Sequence, residues 1–409
     1  MRKLVNVALV LALGASACQS PEGEQADEEQ GAGAETRTVL VDGSTKEFRG
    51  SVLAYFPKQV TVRQGDTVRF KNNFNGEPHT VTLGTLVQPV LDEAAKAPAG
   101  QEASPDLEKK FKAFPVMLPE GPGDANQIAV NPCYIESGAL PADASKACPE
   151  TEQPAFNGKQ AYYNSGFLNR DQEEFRMQLA DDIAPGAYRY YCNLHVEAMT
   201  GEINVVAKDA EIPSQEDVDR KAKEELDKAY APLLEPYKQA RTGKGPLGNV
   251  AGFGVASGGT AQALEFLPKT IETKAGQKVT WTIIGPHTIT FNSKFKGFFL
   301  DKGDDGGFHV EAAQFAPAAG PGQPREVQAA QAGDHGQHDM PTPPGGSEQL
   351  PPAKNVDAGA FDGEETKSSG LFLSFPPNIF SYSVTFTKAG TYNYICLIHP
   401  AMTGTVKVS

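Results

Sequence analysis

Two short segments hold most of the chemistry this sequence offers. One is Cys192-Asn193-Leu194-His195-Val196-Glu197-Ala198-Met199 and the other is Cys396-Leu397-Ile398-His399-Pro400-Ala401-Met402. Each gathers a thiol, an imidazole and a thioether within a few residues. Far upstream of each stands a further histidine, in Pro78-His79-Thr80 and in Pro286-His287-Thr288. Thiolate and thioether favour Cu(I), while imidazole accepts both Cu(I) and Cu(II). Two His and one Cys in a near-trigonal plane, with a weak axial Met, make a copper site suited to moving one electron. Placing three donors on one loop between paired strands fixes their geometry, so little rearranges when the electron arrives. Glu197 is an alternative axial donor on the first loop. An isolated Cys-x-x-His is more often a buried thiol near a surface histidine; here four donors recur in the same order in each half.

The recurrence extends to the elements that must position the donors. Phe56-Pro57-Lys58 leads through Val60 and Val62 to Gly65-Asp66, then to Val68 and Phe70. Leu267-Pro268-Lys269 leads through Ile271 and Thr273 to Gly276-Gln277, then to Val279 and Trp281. Alternating apolar positions around a glycine turn predict strand, turn, strand. Each cysteine follows a strand opened by glycine (Gly186, Gly390), and each methionine precedes Thr-Gly and a closing strand. Ser165-Gly166 and Ser369-Gly370 stand equally far before their cysteines. Between the halves, residues 214–241 predict a helix capped by Ser214, with Pro232 and Pro236 expected to kink or end it. It either spaces the halves or packs across both. The stretches from His79 to Cys192 and from His287 to Cys396 are long inserts, the first with a short helix expected near 104–113. His335 and His338 in the second insert, and His309, read as solvated loop residues rather than ligands.

On these residues both halves resemble the cupredoxins, the family of plastocyanin, azurin, amicyanin and pseudoazurin. The resemblance covers most of 40–90, 160–207, 260–292 and 370–409. It implies an all-β fold of two tandem Greek-key sandwiches, 37–208 and 246–409, joined by a helical linker at 209–245. It implies two type 1 copper ions per chain, one held by His79, Cys192, His195 and Met199, the other by His287, Cys396, His399 and Met402. The second loop has the amicyanin spacing, and the first is one residue longer. Where many cupredoxins have Asn after the first histidine, this chain has Thr80 and Thr288, whose hydroxyls are expected to tie the ligand loops together. In the family the loop histidine reaches an apolar surface as an electron port, which implies ports at His195 and His399. The function implied is electron transfer between redox proteins, such as a cytochrome, oxidase or dehydrogenase. Two alternatives are a copper enzyme resembling nitrite reductase and a copper storage or delivery protein. Only three of the seven histidines remain outside the ligand sets and no His-x-His occurs, too few for the trinuclear cluster of a multicopper oxidase. Those three lie in one insert, and Tyr191 and Ile395 precede the cysteines where nitrite reductases carry histidine. Six methionines are few for a storage protein.

A formal charge of −14 argues against a nucleic-acid partner, which would need a basic face. Residues 1–17 have the basic start, apolar stretch and small-residue end of an export signal. Cys18 follows directly, as in bacterial lipoproteins, and is expected to carry lipid; secretion after cleavage at Ala17 is the alternative. Residues 18–36 read as an acidic tether to the membrane, so an extracytoplasmic, membrane-anchored protein is expected. Cys133 and Cys148 are expected to form a local disulfide there. That leaves Cys192 and Cys396, one per half, for metal.

Overall fold

The computed structural model describes residues 34–43, 50–73, 76–96, 104–111, 114, 123–124, 126–143, 148, 153–254, 261–293, 309–310, 354–374, 379–399 and 401–409. The expected export signal, Cys18, most of the expected tether, His335 and His338 lie outside them. The protein is all-β, with four helices among the described residues. Alternation of apolar and polar residues gives each strand one face to bury. Gln59–Arg63 and Thr67–Asn72 thus bury Val60, Val62, Val68 and Phe70, and Thr270–Thr273 and Lys278–Ile283 bury Ile271, Val279, Trp281 and Ile283.

The sequence repeat is a repeat of strand pairing. Thr36–Val41 runs parallel to Thr67–Asn72, which pairs antiparallel with Glu174–Gln178. Likewise Asn249–Gly254 runs parallel to Lys278–Ile283, which pairs antiparallel with Phe380–Phe386. In the opposing sheets, Gln59–Arg63 lies parallel to Val196–Val206, itself antiparallel to Gly186–Cys192. Thr270–Thr273, Thr403–Val408 and Gly390–Ile395 repeat that arrangement. Each pair of sheets closes on its own apolar cluster, one around Phe70 and Tyr190, the other around Trp281 and Tyr394. The Thr-Gly after each methionine has a steric reason. A Cβ on Gly201 would stand 2.3 Å from the Tyr190 ring, and one on Gly404 would stand 2.4 Å from that of Tyr394.

The halves are interlocked. Strand Gly50–Val52, from the first half, joins the second half's sheet by pairing with Ala261–Leu267. Glu35–Ser409 forms one compact unit. The helix Gln215–Ala240 packs across both halves and runs on through Pro232 and Pro236. Packing on one side outweighs the lost helix hydrogen bonds: Val218, Ala222, Tyr230, Leu233, Tyr237 and Ala240 make a buried stripe at helical spacing. Several of these meet Val52 and Phe56 of one half and Val250, Ala261 and Leu267 of the other. Tyr230 donates its hydroxyl to Gly43 O and Tyr237 to Glu265. No described helix is long and apolar enough to cross a membrane.

Ser214 caps this helix, its Oγ accepting from Asp217 N at 3.2 Å. Ser214→Ala is expected to cost about 1 kcal/mol, read as a lower Tm by scanning calorimetry. An unchanged Tm would show that tertiary packing alone fixes the helix start.

The first insert contains the expected helix, at Pro105–Phe111, and a second at Gln88–Ala94. Val87, Leu91, Leu107, Phe111 and Phe114 of this insert cover Tyr191, the residue before Cys192. Cys133, buried on strand Pro132–Ile135, is bonded to Cys148. Gly123–Asp124 pairs with His309–Val310, so the two inserts meet.

Candidate metal centres

Each upstream histidine is placed by the Ser-Gly repeat. His79 bridges to Leu168, and His287 pairs with Phe372, in each case three residues beyond the serine. The serine hydroxyls accept from Val81 N and Ile289 N, both at 2.8 Å, two residues past the histidines. Thr80 and Thr288 then tie histidine to cysteine loop. Thr80 Oγ1 accepts from Asn193 N at 2.8 Å, and Thr288 Oγ1 from Leu397 N at 2.7 Å. Their own backbone N–H groups point at the sulfurs, 3.4 Å from Cys192 Sγ and from Cys396 Sγ. The two threonines do the tying expected of them.

The result is two clusters, His79–Cys192–His195 and His287–Cys396–His399, in each of which the donor atoms lie within 4.8 Å of one another. His79 Nδ1 stands 3.9 Å from Cys192 Sγ. In the second cluster Cys396 Sγ is 3.9 Å from His287 Nδ1 and 3.5 Å from His399 Nδ1, and the two nitrogens are 3.1 Å apart. Three donors bonded in a plane to one ion at roughly 2.0–2.3 Å stand roughly 3.5–4 Å from one another. The sulfur–nitrogen distances of 3.9, 3.9 and 3.5 Å match this, and the two nitrogens of the second cluster are closer. His195 Nδ1 is buried without a hydrogen-bond partner, as a nitrogen reserved for a metal would be. Met199 and Met402 are buried in the same apolar clusters as Cys192 and Cys396. The side chain of Glu197 lies outside the described residues. The longer first loop takes up its extra residue with Val196 at φ 44° and a register shift between Tyr191 and Cys192. A β-branched residue in that region is strained, and strain of this kind gathers at functional sites.

Burial opposes ionisation of both thiols, but the imidazoles beside them (His195 and His79, His399 and His287) hold Cys192 and Cys396 well below the usual thiol range. The shift is toward the thiolate, the form that binds metal. Burial also opposes charge on His79, yet its bond to Asp42 and the neighbouring Cys192 raise it to about 10. Its counterpart His287 is lowered, by burial and then by the charge of His399. The centres therefore differ behind the donors. His79 Nε2 is 3.0 Å from Asp42 Oδ2 and His195 Nε2 is 2.9 Å from Glu77 Oε1. His287 Nε2 is buried without a partner. Neither Asp42 nor Glu77 stands out by motif; the signal available was the mismatch of Glu77-Pro78-His79 with Gly285-Pro286-His287.

The loop histidines do not reach an outer surface. The side chain of His195 is 10% exposed and His399 is 3% exposed. The expected outward ports are thus replaced by an inward arrangement, because the two ligand loops meet at the seam between the halves. Leu194 packs against both apolar clusters. Glu77 is buried at this seam: Oε1 meets His195, and Oε2 accepts from Gln262 Nε2 of the second half at 2.8 Å. A Cβ on Gly76 would stand 4.0 Å from His399 Cβ, and His399 lies in the field of the Glu77 charge.

Glu77 and His195 give the metal-free protein a pH dependence of definite sign. Burial opposes charge on Glu77, but the His195 imidazolium holds the carboxyl far below its ordinary 4.5. Burial opposes charge on His195 too, yet Glu77 and Cys192 raise it from 6.5 to about 9. The Glu77 contribution is present above 4.5 and fades as pH falls, while the His195 contribution is full below 6.5 and fades as pH rises through about 9. The pair is therefore expected to stabilise metal-free protein most between 4.5 and 6.5. Glu77→Gln is expected to cost about 3–5 kcal/mol there and to flatten the profile of Tm against pH. A variant profile superimposable on the parent's would contradict this.

No family model matches the sequence, and no curated protein matches it. Among solved structures, dithionite-reduced auracyanin from the photosynthetic bacterium Roseiflexus castenholzii is 20% identical over 43% of this chain and 99% of that one, with a TM-score of 0.21. Auracyanin A of Chloroflexus aurantiacus, described as a "blue" copper protein, is 20% identical over 42% of this chain and 98% of its own, with a TM-score of 0.20. Amicyanin of Paracoccus versutus is 18% identical over 36% and 74%, with a TM-score of 0.16. The metal reading rests on the two donor sets themselves.

Proposed function

We propose that this chain is a cupredoxin-like electron carrier with two blue-copper centres, His79–Cys192–His195–Met199 and His287–Cys396–His399–Met402. The observation that carries the reading is the convergence of Cys and two His at equivalent places in both halves. Copper bound there supplies a one-electron couple. The protein supplies the rest. Cys192 and Cys396 offer a thiolate, Thr80 and Thr288 donate N–H groups to the sulfurs, and the Thr hydroxyls hold the loops at fixed spacing. Burial keeps water from the donors, so neither ligand nor solvent rearranges much with the charge. The electron comes from one redox protein and passes to another. Cys18 as the site of a lipid anchor, holding residues 37–208 and 246–409 outside the cytoplasm, completes the proposal.

The test is titration of the metal-free full-length protein with Cu(II). Two equivalents are expected to bind, each adding an intense visible thiolate-to-copper band that reductant bleaches. Binding without such a band would overturn the blue-copper assignment.

A further inference from the structure

The two centres are alike in donors and unlike in what stands behind them. By strand register, Val41 opposite Asn72 corresponds to Ala251 opposite Ile283. The next residue is Asp42 in one half and Gly252 in the other, both left-handed, with φ 62° and 71°. Asp42 occupies that conformation although glycine is its usual occupant. Its oxygens accept from Gly43 N, Ser51 Oγ, Val52 N and His79 Nε2. At Gly252 a Cβ would stand 2.0 Å from His287 Nε2, so no such side chain fits beside that ring. Two residues before the upstream histidine, the first half has Glu77 and the second has Gly285. Both carboxylates that back the N-terminal imidazoles are thus glycines in the C-terminal half.

A carboxylate accepting from the far N–H of a metal-bound imidazole makes the ligating nitrogen more basic. It also sets negative charge beside the metal in surroundings that screen it poorly. Both effects favour the more highly charged oxidation state. Asp42 and Glu77 each exert them on the N-terminal centre through a direct hydrogen bond. The C-terminal centre has only the more distant field of Glu77.

Granting the blue-copper reading above, we infer that Asp42 and Glu77 hold the N-terminal centre at a lower reduction potential than the C-terminal one, so that an electron on the pair rests at His287–Cys396–His399. The internal step moves one electron from the N-terminal centre, which is oxidised, to the C-terminal centre, which is reduced; no bond or proton changes. A chain of contacts crosses the seam. His195 of one centre meets Glu77, Glu77 meets Gln262, and Gln262 lies beside Gly285, next to the His287 ring. Asp42 and Glu77 are positioning residues, acting through the imidazoles.

Spectroelectrochemistry of copper-loaded full-length chain tests this. Cys396→Ser isolates the N-terminal centre and Cys192→Ser the C-terminal one. The N-terminal potential is expected to be lower by at least about 59 mV, a tenfold preference for a one-electron couple. Asp42→Asn in the Cys396→Ser background is expected to raise it. The wild-type chain supplies a second readout that needs no Asp42 variant. After one equivalent of reductant, its remaining electron paramagnetic resonance signal should match that of oxidised Cys396→Ser protein. Equal or reversed potentials, or a half-reduced signal matching oxidised Cys192→Ser protein, would overturn the inference and leave the copper reading standing. Absence of any thiolate band would overturn both.

Discussion

Replacing Cys192 by serine is expected to remove one of two bound coppers and about half of the visible absorption, and replacing Cys396 to remove the other half. Each sulfur is fully buried, stands among two imidazoles, and receives a backbone N–H from the threonine after the upstream histidine. Serine keeps the shape but offers a hydroxyl that does not ionise near neutral pH, so the soft donor that holds Cu(I) is gone. Removal of a direct ligand exceeds the 10–100-fold loss typical of residues behind the ligands. Copper analysis and absorption spectra check this. A band unaffected by one substitution would show that its half serves as scaffold.

Trp281→Ala is expected to destabilise the C-terminal half by about 3–5 kcal/mol. The indole is wholly buried, packs edge-on against Tyr394 with ring centroids 5.2 Å apart, and donates Nε1–H to the Tyr394 hydroxyl at 3.1 Å. Truncation opens a cavity and strips that hydroxyl of its partner. Tyr394 lies two residues before Cys396, with its ring over Gly404, so the disturbance reaches the strand pair that frames the second ligand loop. Calorimetry of copper-loaded protein is expected to show a lower transition, with the N-terminal centre's spectrum retained below it. Stability within about 1 kcal/mol of the parent would mean that the site collapses around the gap.

What the sequence made legible was local. Cys, His and Met on one loop, the Thr after the upstream histidine, the Ser-Gly before the cysteine and the Ser214 cap each express a contact within one half or one turn. Their recurrence doubled the signal. The Cys133–Cys148 spacing was readable for the same reason. What stayed hidden depends on how the halves meet. Gly50–Val52 crosses into the other half's sheet, and the long helix survives two prolines because both halves bury its stripe. The inward turn of His195 and His399 also follows from this seam, so a family resemblance drawn on separate domains implied ports facing out. Asp42 and Glu77 were invisible because each is a single departure from the repeat, meaningful only once its oxygen is seen against an imidazole nitrogen.

The most direct measurement of the central claim is X-ray absorption at the copper edge on full-length, fully loaded protein with copper counted per chain. Two coppers, each with one short sulfur bond and two imidazole nitrogens, are expected. One copper per chain, or copper bound by nitrogen and oxygen without sulfur, would contradict a pair of blue-copper centres.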